Sequence, residues 1–337
     1  MPEYYKMVYP DAQLSDSTET IINQNTTTQP DKTPPPSLEE LEIDNDEEFI
    51  SFDVQTNLYK ATVSNENGGA FTFYELNNYA LNDSELVNLI DKSNRQNLGV
   101  SFRSIDGDLI NLSTGWKTTN QYDISVFSSS KTVSFYKTIE NKRISKEITF
   151  YPDRYVVDIK TNLSEASDII SQNVASISWP KGLPLTEPNR KDELTYYSAV
   201  VYQGDESYYP KAKARGQESI EKMLYPTDWV GIRTKYFFSA FVPEVKASGA
   251  EVLAVEEGET KEYSVGLLFN TLSPFNTRLY LGPLEFNRIK KLDNSLDQIM
   301  NFGWAFIRPI SKGVHWVLLF LNNYIPNYGF VLLLFSV

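Results

Sequence analysis

Two kinds of hydrophobic spacing divide the chain into a long first part and a shorter second part. From about residue 49 to residue 283, apolar and polar residues alternate with period two, as in β-strands. Phe71 and Phe73, for example, alternate with Thr72 and Tyr74, and residues 263–269 form the cleanest run. Turn-forming pairs separate the runs: Gly68-Gly69, Asp106-Gly107, Pro152-Asp153, Ser248-Gly249 and Glu257-Gly258. This pattern predicts an antiparallel sandwich of two large sheets.

The spacing then becomes helical. Apolar residues recur at steps of three and four: Phe286, Ile289, Leu292, Leu296, Ile299 and Met300. Lys290, Asp293 and Asp297 lie between them, so we predict one amphipathic helix of about four turns that packs on the sheet.

The last 37 residues are the most apolar part of the chain. Pro309 suits the first turn of a helix, and residues 310–321 carry an apolar and a polar face, which is typical of a helix lying in a membrane interface. A second apolar segment starts at Tyr328 and is shorter than the roughly 20 residues that span a bilayer. We therefore expect the truncated start of a transmembrane helix. The alternative is a hydrophobic helix docked on the body of the protein.

Charge is distributed unevenly along the chain. The net charge is −13, which argues against nucleic-acid binding, and residues 1–48 alone hold twelve acids and two lysines. These residues have few large apolar side chains, so we predict a disordered acidic linker. From Glu285 onward five Lys and Arg residues outnumber three acids, which favours contact with anionic lipid.

The residues that usually carry chemistry are scarce. The chain has no cysteine, and its only histidine, His315, lies in the apolar tail. None of the phosphate- or dinucleotide-binding loop spacings occurs. Trp116, Trp179 and Trp229 are expected in the core. We predict no catalytic residue, cofactor or metal site. The rival hypothesis is an extracytoplasmic sugar-binding or mutarotase-like β-sandwich with a membrane-seeking tail.

Several short motifs, in this order and spacing, resemble the YidC-type bacterial membrane protein insertases. They are Asn57-Leu58-Tyr59-Lys60-Ala61 with Gly68-Gly69-Ala70, Asp228-Trp229-Val230-Gly231, Tyr236-Phe237-Phe238-Ser239-Ala240 with Val242-Pro243, Tyr280-Leu281-Gly282-Pro283, Phe302-Gly303-Trp304, Pro309, and Asn327-Tyr328-Gly329-Phe330. The resemblance covers residues 50 to 337. It implies the periplasmic domain of such a protein and the entry to its membrane core.

The resemblance implies a mainly β fold, an antiparallel β-supersandwich like that of galactose mutarotase, followed by C-terminal helices. The expected organisation is a linker at 1–48, a periplasmic β-supersandwich at 49–284, a connecting amphipathic helix at 285–300, an interfacial amphipathic helix at 301–325 and the start of a transmembrane helix at 326–337. The membrane-interface residues are expected to be Trp304, Phe306, Trp316, Leu318 and Phe320.

The implied function is non-enzymatic: a chaperone-like insertase that assists insertion, folding and assembly of integral membrane proteins, alone or with the Sec translocon. Its partners would be nascent membrane proteins, Sec components and the lipid bilayer. It would sit in the bacterial inner membrane with the β-domain in the periplasm. Family members in double-membraned bacteria start with a transmembrane helix and carry a groove arginine, and neither is found here. We therefore expect a fragment.

Overall fold

The structure is a computed structural model that describes residues 49–82, 85–120, 122–212, 219–292, 295–300 and 317. The predicted linker at 1–48 lies outside these residues. So do the predicted interfacial and transmembrane segments, apart from residue 317. Across the described ranges, every helix is too short or too polar to cross a bilayer.

The described residues form twenty strands and two short α-helices. The strands are β1 (Ser51–Thr56), β2 (Tyr59–Ser64), β3 (Ala70–Asn82), β4 (Glu85–Asn88), β5 (Gly99–Ser104), β6 (Leu109–Asn111), β7 (Lys117–Thr118), β8 (Ile124–Val126), β9 (Lys131–Ile139), β10 (Lys142–Phe150), β11 (Val156–Asn162), β12 (Ile170–Trp179), β13 (Ser198–Gln203), β14 (Glu206–Tyr208), β15 (Ser219–Met223), β16 (Thr227–Arg233), β17 (Phe237–Pro243), β18 (Gly249–Glu257), β19 (Thr260–Asn270) and β20 (Phe275–Pro283). The helices are α1 (Arg190–Tyr196) and α2 (Phe286–Ile289).

These strands build three sheets, where the sequence predicted two. The largest has nine strands in the order β14-β13-β16-β17-β20-β11-β10-β9-β7. A six-stranded sheet has the order β15-β18-β19-β12-β5-β6, and a five-stranded sheet the order β4-β3-β2-β1-β8. Every pair is antiparallel except β1 with β8. The predicted class, a mainly β antiparallel sandwich, is confirmed.

Both smaller sheets pack on one face of the nine-stranded sheet, which we call the inner face. The side chains on this face include Ile148, Phe150, Ile159, Leu279, Leu281 and Ile232. Cross-strand partners share a face, and the registers place Ile148 beside Ile159 and Phe150 beside Val157. From the five-stranded sheet, Phe71 meets Phe150 edge to face at 6.3 Å between ring centroids. From the six-stranded sheet, β19 packs against β16. Much of the core therefore lies between this face and the two smaller sheets, although Phe238 and Tyr280 are buried on the opposite face.

The alternation predicted at residues 71–74 is wrong in detail. Phe71 and Tyr74 are buried, whereas Phe73 is half-buried. The pairing of β2 with β3 shifts between Thr62 and Val63, which is a β-bulge. A bulge adds one residue to one strand, so the residues beyond it change face and period two fails.

The single helix predicted for 285–300 is also wrong. Helix α2 covers four residues and is followed by 3₁₀ turns at Lys290–Leu292 and Leu296–Ile299. Ser295 has a left-handed φ of 56°, and the sequence Asp293-Asn294-Ser295 consists of residues that compete with helical hydrogen bonds. The apolar spacing still identifies the packed side chains, because Ile289, Leu296 and Ile299 are buried.

Candidate functional site

The predicted site residues divide into a buried group and a group outside the described residues. Trp116, Trp179 and Trp229 are at most 2% exposed, which confirms the prediction that they belong to the core. Trp304, Phe306, Trp316, Leu318 and Phe320 lie outside the described residues, so their role at a membrane interface stays a prediction.

The second face of the nine-stranded sheet, which we call the outer face, carries Asp158, Lys160, Asn276, Arg278, Tyr280 and Arg233. The C-terminal segment is fastened here by two arginines. Arg233 Nη1 donates to the carbonyl oxygen of Ile299 at 2.9 Å, and Arg278 Nη1 donates to that of Leu292 at 3.3 Å. The chain is thus held to the sheet two residues before the predicted interfacial segment begins.

Arg233 is positioned by its strand. It ends β16 and lies opposite Phe238 in β17, whose ring is buried. Burial lowers the pKa of the Arg233 guanidinium, because removing a cation from water costs free energy. Its hydrogen bond to a backbone carbonyl offsets part of that cost.

A polar groove of about 500 Å³ occupies the uncovered part of the outer face. Two of its three acids accept hydrogen bonds. The Tyr151 hydroxyl donates to Asp158 Oδ2 at 2.5 Å, Asn276 Nδ2 donates to Glu244 Oε2 at 2.6 Å, and Glu147 lies opposite Lys160. The lining of this groove includes no aromatic ring on which a sugar could stack. Within the described ranges, no group of three or more acids and histidines is arranged to hold a metal ion.

A second cavity, of about 370 Å³, lies where α2 meets β11 and β20; we call it the basic cavity. Four cations line it: Arg154, Arg278, Arg288 and Lys291. Its one acidic lining residue is Asp153, whose Oδ1 accepts a hydrogen bond from Asn57 Nδ2 at 2.7 Å.

Two of these cations stack on aromatic rings. The Arg154 guanidinium carbon lies 4.9 Å from the centroid of the Tyr151 ring, and that of Arg288 lies 5.2 Å from the Tyr155 ring. Arg288 Nε also donates to Glu285 Oε2 at 2.6 Å, one helical turn before it. Stacked guanidinium groups have fixed orientations, so this arrangement is suited to binding a planar or tetrahedral oxyanion.

An apolar groove of about 290 Å³ lies on the other side of Glu285. Tyr79, Leu81, Tyr236 and Leu284 line it, and the Tyr79 hydroxyl donates to Glu285 Oε1. Burial and this hydrogen bond raise the pKa of Tyr79. Glu285 therefore separates an apolar groove from a cationic one.

Of the described residues, the buried cation on the inner face is Lys146 of β10. Its Nζ donates to the carbonyl oxygens of Asn67 and Leu98, each at 2.5 Å, and lies 5.7 Å from the centroid of the Trp116 ring. None of its recorded partners is a carboxylate, and burial lowers the pKa of the amine to about 7. Lys146 joins the loops before β3 and β5 to the central sheet, so it has a structural role.

Comparison with known families identifies this architecture. The model of the YidC periplasmic domain matches residues 51–317, most of the chain. The chain belongs to the YidC periplasmic-domain family. The match includes every described strand and both arginine anchors, Arg233 and Arg278. The resemblance inferred from the sequence motifs is confirmed.

Curated relatives carry the name membrane protein insertase YidC. The protein of Chlorobaculum tepidum is 28% identical over 304 residues, which are 84% of this chain and 50% of that protein. The protein of Chlorobium limicola is 26% identical, over 86% of this chain and 51% of its own length. The chain thus spans about half the length of the YidC relatives it matches.

Solved structures give a weaker likeness. The α-galactosidase AgaA of Geobacillus stearothermophilus, solved with 1-deoxygalactonojirimycin, has a TM-score of 0.36 and 7% identity; the match covers 71% of this chain and 41% of the enzyme. A 4-α-glucanotransferase of Thermococcus litoralis has a TM-score of 0.35 and 9% identity, over 71% and 40%. A likeness this weak supports no conclusion about the YidC domain.

Proposed function

We propose that this chain is the extracytoplasmic part of a membrane protein insertase. It assists the insertion and folding of nascent integral membrane proteins in the bacterial inner membrane, alone or beside the Sec translocon, with its sandwich in the periplasm. The observation that supports this most is the family match at residues 51–317, which continues past the sandwich into the apolar tail. The names of the curated relatives point the same way.

Hydrogen bonds between the sandwich and the segment before the tail are a physical reason for the two to act together. Arg233 and Arg278 fasten the segment 286–300 to the largest sheet. Two residues later the predicted interfacial helix begins. If residues 301–325 lie in the bilayer surface, the outer face of the sandwich is held close to the membrane, where emerging protein segments pass.

The tryptophans provide a sharp test of membrane attachment. Trp116, Trp179 and Trp229 are buried, so lipid-borne quenchers cannot reach their indole rings. The chain has five tryptophans, and the other two, Trp304 and Trp316, are in the tail. We expect brominated lipid vesicles to quench only the fluorescence of these two, and Trp304→Phe with Trp316→Phe to abolish the quenching. Quenching that persists in the double variant would contradict the assignment of the interface.

The action on nascent proteins needs its own test. A photo-crosslinking amino acid placed at Leu81 or Tyr236 in the apolar groove reports which proteins pass this end of the sandwich. A ribosome-stalled membrane protein should crosslink in inner-membrane vesicles, whereas a stalled soluble protein should not. The same probe at Tyr122, an exposed residue outside the groove, is the control. Equal crosslinking to both kinds of chain would count against a role in insertion.

The rival sugar-binding or mutarotase-like function gains no support from the described residues. The three tryptophans that might stack on a sugar are in the core, and two of the three acids of the polar groove are already hydrogen-bonded.

A further inference from the structure

The basic cavity carries an excess of positive charge in a small space. Its lining holds four cations and one carboxylate, and that carboxylate is hydrogen-bonded to Asn57. Its volume of about 370 Å³ is roughly ten times the share of one water molecule, which leaves room for a phosphate group.

Three of the four cations have no ion-pair partner among the described residues, although Asp158 lies opposite Arg278 in the sheet. In the described part of the chain, Arg154, Arg278 and Lys291 form no ion pair. Arg278 donates from one nitrogen to the carbonyl oxygen of Leu292, and Arg154 is exposed and stacks on the Tyr151 ring. Guanidinium groups fixed in this way can bind the oxygens of a phosphate in pairs.

The position of the cavity indicates the source of that phosphate. Helix α2, which carries Arg288, packs against the turn Leu296–Ile299. The predicted interfacial segment begins two residues after Ile299, a span of at most about 7 Å of extended chain. A chain with a net charge of −13 thus places a cavity with four cations beside its predicted membrane contact.

We infer that the basic cavity binds the phosphate of an anionic phospholipid headgroup through Arg154, Arg278, Arg288 and Lys291. This rests on the proposed function, because only a chain attached to the membrane brings the cavity to the headgroups. The site fixes the orientation of the sandwich on the bilayer, since headgroup binding adds a second point of contact to the tail.

The test uses the whole chain and vesicles of three compositions: phosphatidylcholine alone, phosphatidylcholine with phosphatidylglycerol, and phosphatidylcholine with oleate at equal surface charge. We expect tightest binding to the phosphatidylglycerol vesicles. Each cation near a membrane surface contributes about 1 kcal/mol, which is about five-fold in affinity. The double variant Arg154→Gln/Lys291→Gln should therefore reduce the preference for phosphatidylglycerol at least about ten-fold.

The matched control is Lys92→Gln/Arg95→Gln. It removes the same two residue types from exposed positions outside the cavity, so it should change the preference by less than about two-fold. An equal loss in both double variants would show attraction by overall charge and overturn the site. Equal binding to oleate and phosphatidylglycerol would do the same. Near-ultraviolet circular dichroism of the buried tryptophans verifies that each variant is folded.

Two further outcomes separate the explanations. Inorganic phosphate should reduce the preference more than sodium chloride of equal ionic strength does, because it competes with the headgroup phosphate for the same cations. If both salts reduce the preference equally, the attraction comes from overall charge and the site is overturned. Absence of binding to every vesicle would refute membrane attachment and this inference together, whereas equal binding to all three compositions would refute the headgroup site alone.

Discussion

The cations on the two faces of the nine-stranded sheet differ in burial and in hydrogen-bond partners. On the inner face, Lys146 is sealed in the core and bound by two carbonyl oxygens. Beside the outer face, Arg154 is exposed and Arg278 is partly exposed, and neither forms an ion pair in the described part of the chain. The buried amine lowers stability when protonated, whereas the outer cations stay charged and available. The same sheet thus separates a structural cation from cations suited to binding.

The largest expected effect is the pH dependence that Lys146 gives to folding. Its pKa is about 7 when folded and near 10.5 when unfolded. Below pH 7 both states are protonated and the burial penalty is fully present. As the pH rises toward 10.5, only the unfolded state keeps the proton, so stability rises by on the order of 5 kcal/mol.

Replacing Lys146 with Met removes this dependence. Urea unfolding at a series of pH values between 6 and 10 should show the stability of the unmodified protein rising relative to that of Lys146→Met. The exposed Lys60→Met is the control and should leave the slope unchanged. Parallel curves for the unmodified protein and Lys146→Met would show that the buried amine does not titrate as described.

A second prediction measures how tightly the inner face is packed. Gly69 has a φ of 112°, and an added Cβ would lie 2.4 Å from Ile148 Cδ1 and 2.8 Å from Phe135 Cε2. Gly69→Ala should therefore cost about 3 kcal/mol or more, from overpacking and backbone strain together. Gly107 has a similar φ of 98° with nothing within 4 Å, so Gly107→Ala should cost only about 1 to 2 kcal/mol. Similar costs in both variants, measured by urea unfolding, would mean that the packing is loose.

A third prediction concerns the outer face, where Arg233 anchors Ile299. Arg233→Met should cost about 1.5 to 3 kcal/mol, because a hydrogen bond to a charged donor is lost. Hydrogen exchange of residues 296–300 should accelerate. Arg103→Met is the matched control, since Arg103 also donates to a carbonyl oxygen, that of Gly107, but in an exposed turn. Unchanged exchange in Arg233→Met would show that the segment is held by its apolar side chains alone.

The sequence predicts the structural features that depend on local pattern. It does not predict the features that depend on contacts between distant residues. Tyr263, Val265, Leu267 and Phe269 are buried as predicted, although Leu268 between them is buried as well, and the family motifs identify the fold. The bulge in β3 was missed, because period two carries no sign of an inserted residue. A signal for Lys146 was present: Ile144, Ile148 and Phe150 face inward at steps of two, so residue 146 must do so as well.

The outer-face anchors had no such signal. Arg233 bonds a carbonyl oxygen 66 residues away, and a backbone acceptor leaves no trace in side-chain pattern. The basic cavity joins residues from the turn before β11, from β11, β20 and α2, and from the 3₁₀ turn after α2, which the topology alone brings together. The predicted interface residues of the tail lie outside the described residues. The site inferred from the sequence and the site found in the structure are therefore neighbours along the chain and do not overlap.

The prediction with the smallest expected effect tests whether the cations near the outer face are available for binding. Among the described residues, Glu285 is the acid that pairs with a cation of the basic cavity, through Arg288 Nε. Because both side chains are partly exposed, Glu285→Gln should change stability by less than about 1 kcal/mol. It frees Arg288, however, so preference for phosphatidylglycerol vesicles should rise about two- to five-fold.

The control for this variant is Glu259→Gln, which removes an equal charge from an exposed pair with Lys191. It should change the vesicle preference by less than about two-fold, since it lies outside the cavity lining. If both variants raise the preference equally, the effect comes from net charge. If Glu285→Gln alone raises it, the outer face binds headgroups through a defined set of cations, and Glu285 limits that binding by occupying one of them.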